Sequence, residues 1–292
     1  MTNGRSEVSG GSAVFRVVED LRSRMAGGDF SLGAPLPAQR LLAVEYSVSR
    51  DTVQKALKQL RKEGWVEPRR GSGTRVVRAQ QVQSYTAKAA REGRVTLREY
   101  FDEAFTQEEV RLDVFTLTSE SLDTQVRGQI ERIRSGETRP RSIAIRMLLP
   151  AESLGLPYPR ALDDPEARLT VRLRKRLLEI THRHSGSMVS QLQQLEAEEL
   201  VESARIEILH VDLAPTFKLY LINDTQALHA PYEVVERPIV LSDQETVRAL
   251  DVLGLGATLT HYVKDDNPDS RGSVFLKAWQ AWFDSVWTRL AY

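Results

Sequence analysis

Residues 12–78 combine helix, turn and strand patterns in an order that few small domains can accommodate. Apolar residues first recur at the spacing of one helix face, and Gly27 stops this run. Pro37 suits the first turn of a second short helix, and Ser49 can cap a third, which ends at Gly64. The apolar positions of the first helix are Val14, Val17, Val18, Leu21 and Met25.

The third helix is predicted to bury one face and to expose the other. Its apolar stripe consists of Val53, Ala56, Leu57 and Leu60. Strand-like residues 65–67 and 74–77 then flank a glycine-containing turn that carries Arg69 and Arg70. Helix, helix, turn, helix and hairpin is the order of a winged helix-turn-helix, so we expect this α+β fold at the head of the chain.

The charge and shape of this segment suit duplex DNA. Residues 1–80 contain 14 basic and 8 acidic side chains, and the remainder carries an equal excess of acid, since the net charge is zero. A helix fits the major groove, where the side chains at its N-terminus reach base edges. Those side chains are Ser49, Arg50, Asp51 and Thr52. The alternative is a small helical subdomain with a solvated basic face.

Several short motifs in this segment resemble one bacterial family. They are Leu36-Pro37-Ala38-Gln39-Arg40, Val48-Ser49-Arg50 with Thr52-Val53, Ala56-Leu57 with Leu60, Gly64-Trp65-Val66, and Gly71 with Gly73-Thr74. As a set they resemble the N-terminal domain of the GntR family of transcription regulators. The resemblance implies that Arg40, Arg50 and Thr52 contact DNA and that Arg70 and Gly71 lie on the wing. Two positions depart from the common family pattern: Gln39 replaces a usual glutamate, and Gln54 replaces an arginine that many members use to contact DNA. The change at Gln54 implies that the operator sequence differs from that of those members.

We therefore predict a DNA-binding surface and a chain of two domains. The predicted DNA-binding residues are Arg40, Ser49, Arg50, Thr52, Arg69, Arg70 and Gly71. A polar, flexible tail is expected at 1–11, the winged helix at 12–78 and a linker at 79–94. Residues 95–292 are expected to form a larger α/β domain that binds an effector and joins two copies of the chain.

The acidic remainder predicts alternating strands and helices. Residues 110–117 and 142–149 have strand patterns, and 119–134 between them has a helical one, which together predict a βαβ unit with parallel strands. Two helices are expected next, one opening at Pro165 and one over 186–202. Three further strands are expected at 205–213, 217–222 and 232–241.

Residues 205–224 resemble the strand pair that carries the His-x-Lys-x4-Asp motif of phospholipase D-like proteins. Aligned on Lys218, the motif's histidine falls on Thr216 and its aspartate on Asn223. Threonine without a base is a poor nucleophile, and asparagine has no negative charge, so the motif predicts no catalysis. Lys218 is then a candidate for binding an anionic effector, and the alternative is a solvent-facing strand residue.

The C-terminal helix and the residue inventory complete the expectations. Three of the four tryptophans lie on one helical pattern near the end of the chain, which predicts burial in the core or in a subunit interface. Cysteine is absent, and no histidine spacing marks a metal site, so we expect no catalytic residue, no cofactor and no metal. No run of about 18 apolar residues exists, so we expect no membrane span and a cytoplasmic protein.

The sequence thus predicts a cytoplasmic, homodimeric regulator, acting as a repressor, that binds double-stranded operator DNA. A small-molecule effector of unidentified chemistry would modulate that binding. Three alternatives stay open: a phosphodiesterase-like enzyme with a DNA-binding head, a ligand-free architectural protein, and a regulator with a chorismate-lyase-like effector domain. The chorismate-lyase-like alternative requires an antiparallel sheet around residues 110–149. In the enzyme alternative the larger domain turns over a substrate, and in the architectural alternative it has no ligand site.

Overall fold

The computed structural model describes residues 4–27, 29–30, 32–69, 73–77, 81–84, 97–241, 245–252, 254 and 257–292. These residues form two compact units, and each is built from more than one stretch of chain. The N-terminal unit comprises residues 1–80, 158–176 and 234–251, and the sheet unit comprises 81–157, 177–233 and 252–292. Among the described residues, no helix combines the length and the apolar character that a membrane span requires.

The N-terminal unit contains the predicted winged helix. Its helices are α1 (Gly4–Gly27), α2 (Gln39–Glu45) and α3 (Arg50–Lys62), and its wing is formed by β1 (Val66–Arg69) and β2 (Gly73–Val76) in antiparallel pairing. The apolar stripes predicted for α1 and α3 are buried between these helices. The structure corrects the start of α1, which begins at Gly4 and includes residues 4–11 of the predicted flexible tail.

The N-terminal unit also contains three strands and the first part of one long helix from later in the chain. Strands β6 (Arg160–Ala161), β10 (Val234–Val240) and β11 (Thr246–Val252) form a small sheet in the order β10-β11-β6, and helix α6 (Arg168–Ala197) lies in this unit as far as Arg176. This division differs from the predicted boundary, which assigns all of 95–292 to one domain. Local sequence patterns do not indicate that residues 158–176 and 234–251 pack in the same unit as residues 1–80.

A seven-stranded mixed sheet organises the sheet unit. The strands are β3 (Gln81–Ser84), β4 (Glu109–Phe115), β5 (Ser142–Pro150), β7 (Ser203–Val211), β8 (Phe217–Ile222), β9 (Gln226–Pro231) and β12 (Thr258–Val263). Their order is β3-β12-β9-β8-β4-β5-β7. Strand β3 lies within the predicted linker 79–94, and the other linker residues lie outside the described part of the chain.

The predicted βαβ unit is present. Strands β4 and β5 pair in parallel, with Glu109 opposite Ser142 and Phe115 opposite Leu148, and α5 (Glu120–Arg134) connects them. Strand β7 continues the parallel set beyond β5, whereas β8 pairs with the other side of β4 in antiparallel orientation. Parallel pairing of β4 and β5 contradicts the chorismate-lyase-like alternative, which requires an antiparallel sheet here.

Helices cover both faces of this sheet. Helices α4 (Leu97–Ala104) and α5 and the second half of α6 pack on one face, where Phe101, Ile130 and Leu192 are fully buried. Helix α7 (Arg271–Arg289) packs on the other face, and Phe283 is its fully buried residue. The α7 tryptophans are partly buried in this second core, as the aromatic pattern predicts.

Two predicted elements have different bounds in the structure. The two helices expected from Pro165 and over 186–202 are one continuous helix, α6, within which the Ser185 hydroxyl donates to the Thr181 carbonyl oxygen at 2.7 Å. The strand expected at 232–241 is present as β10, with slightly shorter bounds, and β9 at Gln226–Pro231 is a further strand that the sequence does not predict. Together the winged helix and the larger domain of mixed sheets and helices give the predicted combination of fold classes.

Candidate nucleic-acid interface

Helix α3 begins and ends at residues whose chemistry fixes its length. The Ser49 hydroxyl accepts a hydrogen bond from the Thr52 amide at 3.1 Å, so it satisfies one of the free N–H groups at the helix start. At the other end, the Trp65 amide donates to the Leu60 carbonyl and the Gly64 amide donates to the Arg61 carbonyl. These two bonds form a Schellman motif, which requires the positive φ of 74° that Gly64 adopts.

The two faces of α3 differ in burial and in charge. Val53, Ala56 and Leu60 are fully buried against the rest of the winged helix. The opposite face exposes Arg50, Lys55, Lys58, Arg61 and Lys62. Only one acidic side chain lies on the helix, Asp51, and it forms an exposed ion pair with Lys55 at 2.8 Å. The exposed face of α3 is therefore strongly cationic.

A buried ionic network holds the back of α3 against α1. Arg22 of α1 contacts Glu19 and Glu63 at 2.8 Å each, and all three side chains are at least nine-tenths buried. The Gln59 side-chain amide donates to Glu63 at 3.2 Å, and Arg176 of α6 reaches Glu19 at 3.3 Å. Buried charges remain ionised only when paired in this way, so the network fixes how α3 sits on α1. No local sequence pattern indicates this network, because Glu63 and Arg176 are distant from α1 along the chain.

The turn between α2 and α3 is also fixed from α1. The Tyr46 hydroxyl donates to Asp20 at 2.6 Å, and burial and this acceptor together raise the pKa of Tyr46 well above its ordinary value. Ser47, the next residue, has a φ of 52° and turns the chain toward α3. Tyr46 thus orients the start of the cationic helix.

The predicted DNA-binding residues are exposed where the structure describes them. Arg40 lies at the start of α2, Arg50 at the start of α3, and Arg69 at the end of β1, and all three are exposed. Thr52 is partly exposed, and its hydroxyl is 2.9 Å from that of Ser49. Two predicted wing residues, Arg70 and Gly71, lie outside the described residues.

Lys218 is not a solvent-facing residue. It lies on β8 and is 3% exposed, and its ammonium donates to the Ser121 hydroxyl at 3.1 Å and to the Gly254 carbonyl at 3.2 Å. Burial lowers the pKa of Lys218 to about 8, and the negative charge of Glu120 opposes this shift. Lys218 is therefore a buried residue whose polar contacts come from within the protein.

The other two positions of the phospholipase D-like alignment do not join Lys218. Thr216 precedes β8, and its carbonyl oxygen accepts from the Tyr232 amide. Asn223 follows β8 with a φ of 50°; its side chain accepts from the Arg111 amide at 2.8 Å and donates to the Ala104 carbonyl at 3.1 Å. The two residues lie at opposite ends of one strand, and Asn223 has a structural role in the turn.

A family model described as bacterial regulatory proteins, gntR family, matches residues 14–76. The Exu regulon transcriptional regulator of Escherichia coli K12 is 44% identical over 62 residues, which are 21% of this chain and 24% of that protein. The uncharacterized HTH-type transcriptional regulator YdfD of Bacillus subtilis is 34% identical over 62 residues, 21% of this chain and 13% of its own length.

This chain therefore matches about a quarter, or less, of the length of these curated relatives. Among solved structures, PhnF from Mycobacterium smegmatis aligns with a TM-score of 0.19 and 38% sequence identity, covering 26% of this chain and 35% of that one. The motifs, the geometry of α2, α3 and the wing, and the family match all fall on the same segment. Residues 14–76 are a winged helix-turn-helix domain of the GntR family of bacterial regulatory proteins.

Proposed function

We propose that the protein is a transcription regulator that binds double-stranded operator DNA through α3 and the wing. The observation that carries this proposal is the exposed cationic face of α3. The opposite face of this helix packs on α1, where Arg22 pairs with Glu19 and Glu63. Two relatives that each match 62 residues of this chain are named as transcriptional regulators, which supports the same function. Bacterial operators lie in the cytoplasm, so the proposal places the protein there.

Three exposed arginines have different parts in the proposed DNA contact. Arg50, at the first position of α3, extends beyond the buried stripe, and its guanidinium can bond two acceptors of a guanine edge. Arg40 and Arg69 flank it on α2 and β1 and would contact phosphates, which position the domain without reading sequence. Ser49 and Thr52, at the capped helix start, are placed to contact the backbone or a base. Arg70 and Gly71 retain their proposed role on the wing.

We further propose that the protein is a homodimer and that the sheet unit binds a small-molecule effector, through which it acts as a repressor. One winged helix has a small footprint, and two recognition helices spaced by about one DNA turn supply the missing specificity. An effector that prefers one dimer geometry weakens operator binding by the difference in its affinity for the two geometries. We propose no enzymatic step, cofactor or metal for this function.

Two alternatives remain for the test. A phosphodiesterase would need a nucleophile near Lys218, and the nearest aligned candidate, Thr216, precedes β8 with its carbonyl bonded to Tyr232. An architectural protein would bind duplexes of any sequence with one affinity. Turnover of a phosphodiester substrate supports the first alternative, and equal affinity for all sequences supports the second.

The function is tested by measuring duplex binding of the full chain after selection of its preferred sequence. Arg50→Ala should weaken binding to the selected duplex by about 1–3 kcal/mol and should barely change binding to a scrambled one. Arg289→Ala, which removes an exposed arginine of α7, is the matched control and should have no effect. Wild-type affinity should fall steeply with salt because phosphate contacts release counterions. Absence of duplex binding at low salt would overturn the proposal, and sedimentation of a monomer would overturn the dimer.

A further inference from the structure

Strand β7 lies at one edge of the seven-stranded sheet and has a long outer side. It pairs in parallel with β5 over Ser203–Val211, and the described part of the chain contains no strand on its other side. The opposite edge strand, β3, has only four residues. Sheet edges are commonly protected by a short strand, a proline or a lysine, and β7 has none of these. Its outer side can therefore bind another strand.

The two ends of this outer side already have partners. His210 exchanges both of its backbone hydrogen bonds with Tyr292, at 2.9 and 3.0 Å. Near the other end, the Ala204 amide donates to the Glu196 side chain at 3.1 Å. Both residues of β7 therefore direct backbone groups away from β5, and the stretch between them remains to be paired.

The middle of the outer side consists of Ile206 and Ile208. Alternate residues of a strand direct their backbone N–H and C=O groups to the same side, so these two residues point outward as Ala204 and His210 do. No residue within the described ranges bonds to them on that side. Their side chains pack against the edge of the sheet core and remain partly exposed. This stretch offers unpaired backbone groups together with apolar surface.

Two exposed side chains of opposite charge flank Ile206. They are Arg205 and Glu207, and neither forms an ion pair with a residue that the structure describes. Arg146 of β5 is in register with Glu207, but its guanidinium pairs with Asp113 and Asp284 at 2.6 and 2.9 Å. The outer strand therefore carries one cation and one anion that are both available to a partner.

We propose that β7 pairs with β7 of a second copy of the chain, in antiparallel orientation about a two-fold axis at Ile206. In this register Arg205 of each copy lies opposite Glu207 of the other, so the dimer contains two cross-strand ion pairs. The two seven-stranded sheets become one continuous sheet. The proposal rests on the homodimer proposed above and names its interface.

The backbone groups of the two strands match in this register. Ile206 lies opposite Ile206 of the other copy, and the two residues exchange both of their hydrogen bonds. Ile208 lies opposite Ala204 and donates to its carbonyl, so the Ala204 amide can keep its bond to Glu196. The paired stretch ends before His210, where Tyr292 already occupies the edge. The proposed pairing thus uses the part of β7 that is open.

The neighbouring registers bring like charges together. An axis at Glu207 would place this carboxylate opposite its own copy, and an axis at Arg205 would do the same with two guanidinium groups, both of which are unfavourable. An axis between two residues would pair outward-pointing residues with inward-pointing ones, which breaks the hydrogen-bond pattern. Charge and backbone phase together therefore select the axis at Ile206.

The interface is tested by sedimentation of the full chain without DNA at low ionic strength. Glu207→Arg and Arg205→Glu each place like charges opposite each other in both contacts and should raise the dimer dissociation constant at least about tenfold. The double variant Arg205→Glu/Glu207→Arg exchanges the charges and should restore dimerisation. Lys277→Glu, which reverses an exposed charge on α7, is the matched control and should sediment as the wild type does.

Two further measurements test the register itself. A mixture of the Glu207→Arg chain with the Arg205→Glu chain should form heterodimers, because every cross-strand pair then has opposite charges. The chain has no cysteine, so Ile206→Cys introduces a single thiol, and mild oxidation should link two copies covalently. Opposed residues of a hydrogen-bonded pair have Cα atoms about 5.5 Å apart, which suits a disulfide. Lys277→Cys should give no covalent dimer.

The outcomes separate this interface from the proposed function. A dimer whose dissociation constant is unchanged in both single variants would overturn the β7 interface and leave the homodimer standing. A wild-type monomer would overturn the interface and the homodimer together. A dimer that responds to the variants as expected but binds no duplex would support the interface and disprove only the regulator function.

Discussion

Helices α3 and α5 both begin after a serine, and the two starts have opposite environments. At α3, Ser49 caps the helix by accepting from the Thr52 amide, and the first turn is exposed on a cationic surface. At α5, the Ser119 side chain makes no capping bond, and the first turn is buried opposite Lys218. The same residue type at the same helix position therefore has different partners.

The difference shows what each helix start can bind. A capped, exposed start with exposed cations around it can contact a large polyanion. The buried start is shielded from solvent, and the one cation opposite it already donates to Ser121 and Gly254. Electrostatic attraction is far stronger in the second environment, because the surrounding dielectric is low.

The largest expected difference in unfolding free energy is between substitutions at the third residue of α5 and the third residue of α3. Leu122 of α5 is 1% exposed, and Leu122→Ala should lower the free energy of unfolding by about 2–5 kcal/mol through lost burial and a cavity. Thr52 is the equivalent residue of α3 and is partly exposed, so Thr52→Ala should cost about 0.5 kcal/mol or less. Amide hydrogen exchange within each helix measures the two effects separately.

Leu122→Met is the matched control for this pair, since it keeps the side-chain volume and should cost less than about 1.5 kcal/mol. Equal losses for Leu122→Ala and Thr52→Ala would show that the two helix starts do not differ in burial.

The second effect depends on pH and isolates the buried cation. The pKa of Lys218 is lowered from 10.5 to about 8, so between these values the unfolded chain binds more protons than the folded one. Stability should therefore rise with pH across this window, and below pH 8 the buried charge costs about 3 kcal/mol. Lys218→Met removes this dependence, so its unfolding free energy should approach or exceed that of the wild type near pH 7.

Urea unfolding from pH 7 to pH 10 measures this, with Lys277→Met as the exposed control. Parallel profiles for wild type and Lys218→Met would contradict the account, since they would show that Lys218 has an ordinary pKa.

The smallest effect concerns the serines themselves. Ser49→Ala removes a capping bond and should cost about 1 kcal/mol, whereas Ser49→Asp keeps an acceptor at the cap and should cost little. Ser119→Asp should destabilise the protein more than Ser49→Asp does, because it adds a negative charge beside the buried carboxylates of Glu120 and Asp123. Thermal unfolding of the four variants Ser49→Ala, Ser49→Asp, Ser119→Ala and Ser119→Asp tests this, and a neutral Ser119→Asp would show that this helix start is open to solvent.

Local patterns were sufficient for much of the molecule. The stripes of α1 and α3, the glycine at position 64 and the βαβ unit are each encoded by residues close together in sequence, and the structure confirms them. The GntR resemblance depends on a contiguous segment for the same reason. The sequence predicts two helices where the structure has α6 alone, because the polar Ser-Gly-Ser stretch at 185–187 interrupts the apolar period.

The sequence by itself determined the winged helix, the cationic face of α3 and the α/β character of the larger part, since periodicity and capping act over a few residues. Tertiary structure alone decided that Lys218 is buried, because that depends on Ser121 and Gly254, which lie far from it in the sequence. It likewise decided that residues 158–176 and 234–251 join the N-terminal unit. Burial and long-range pairing result from how the elements pack, and no local pattern specifies which distant residues will meet.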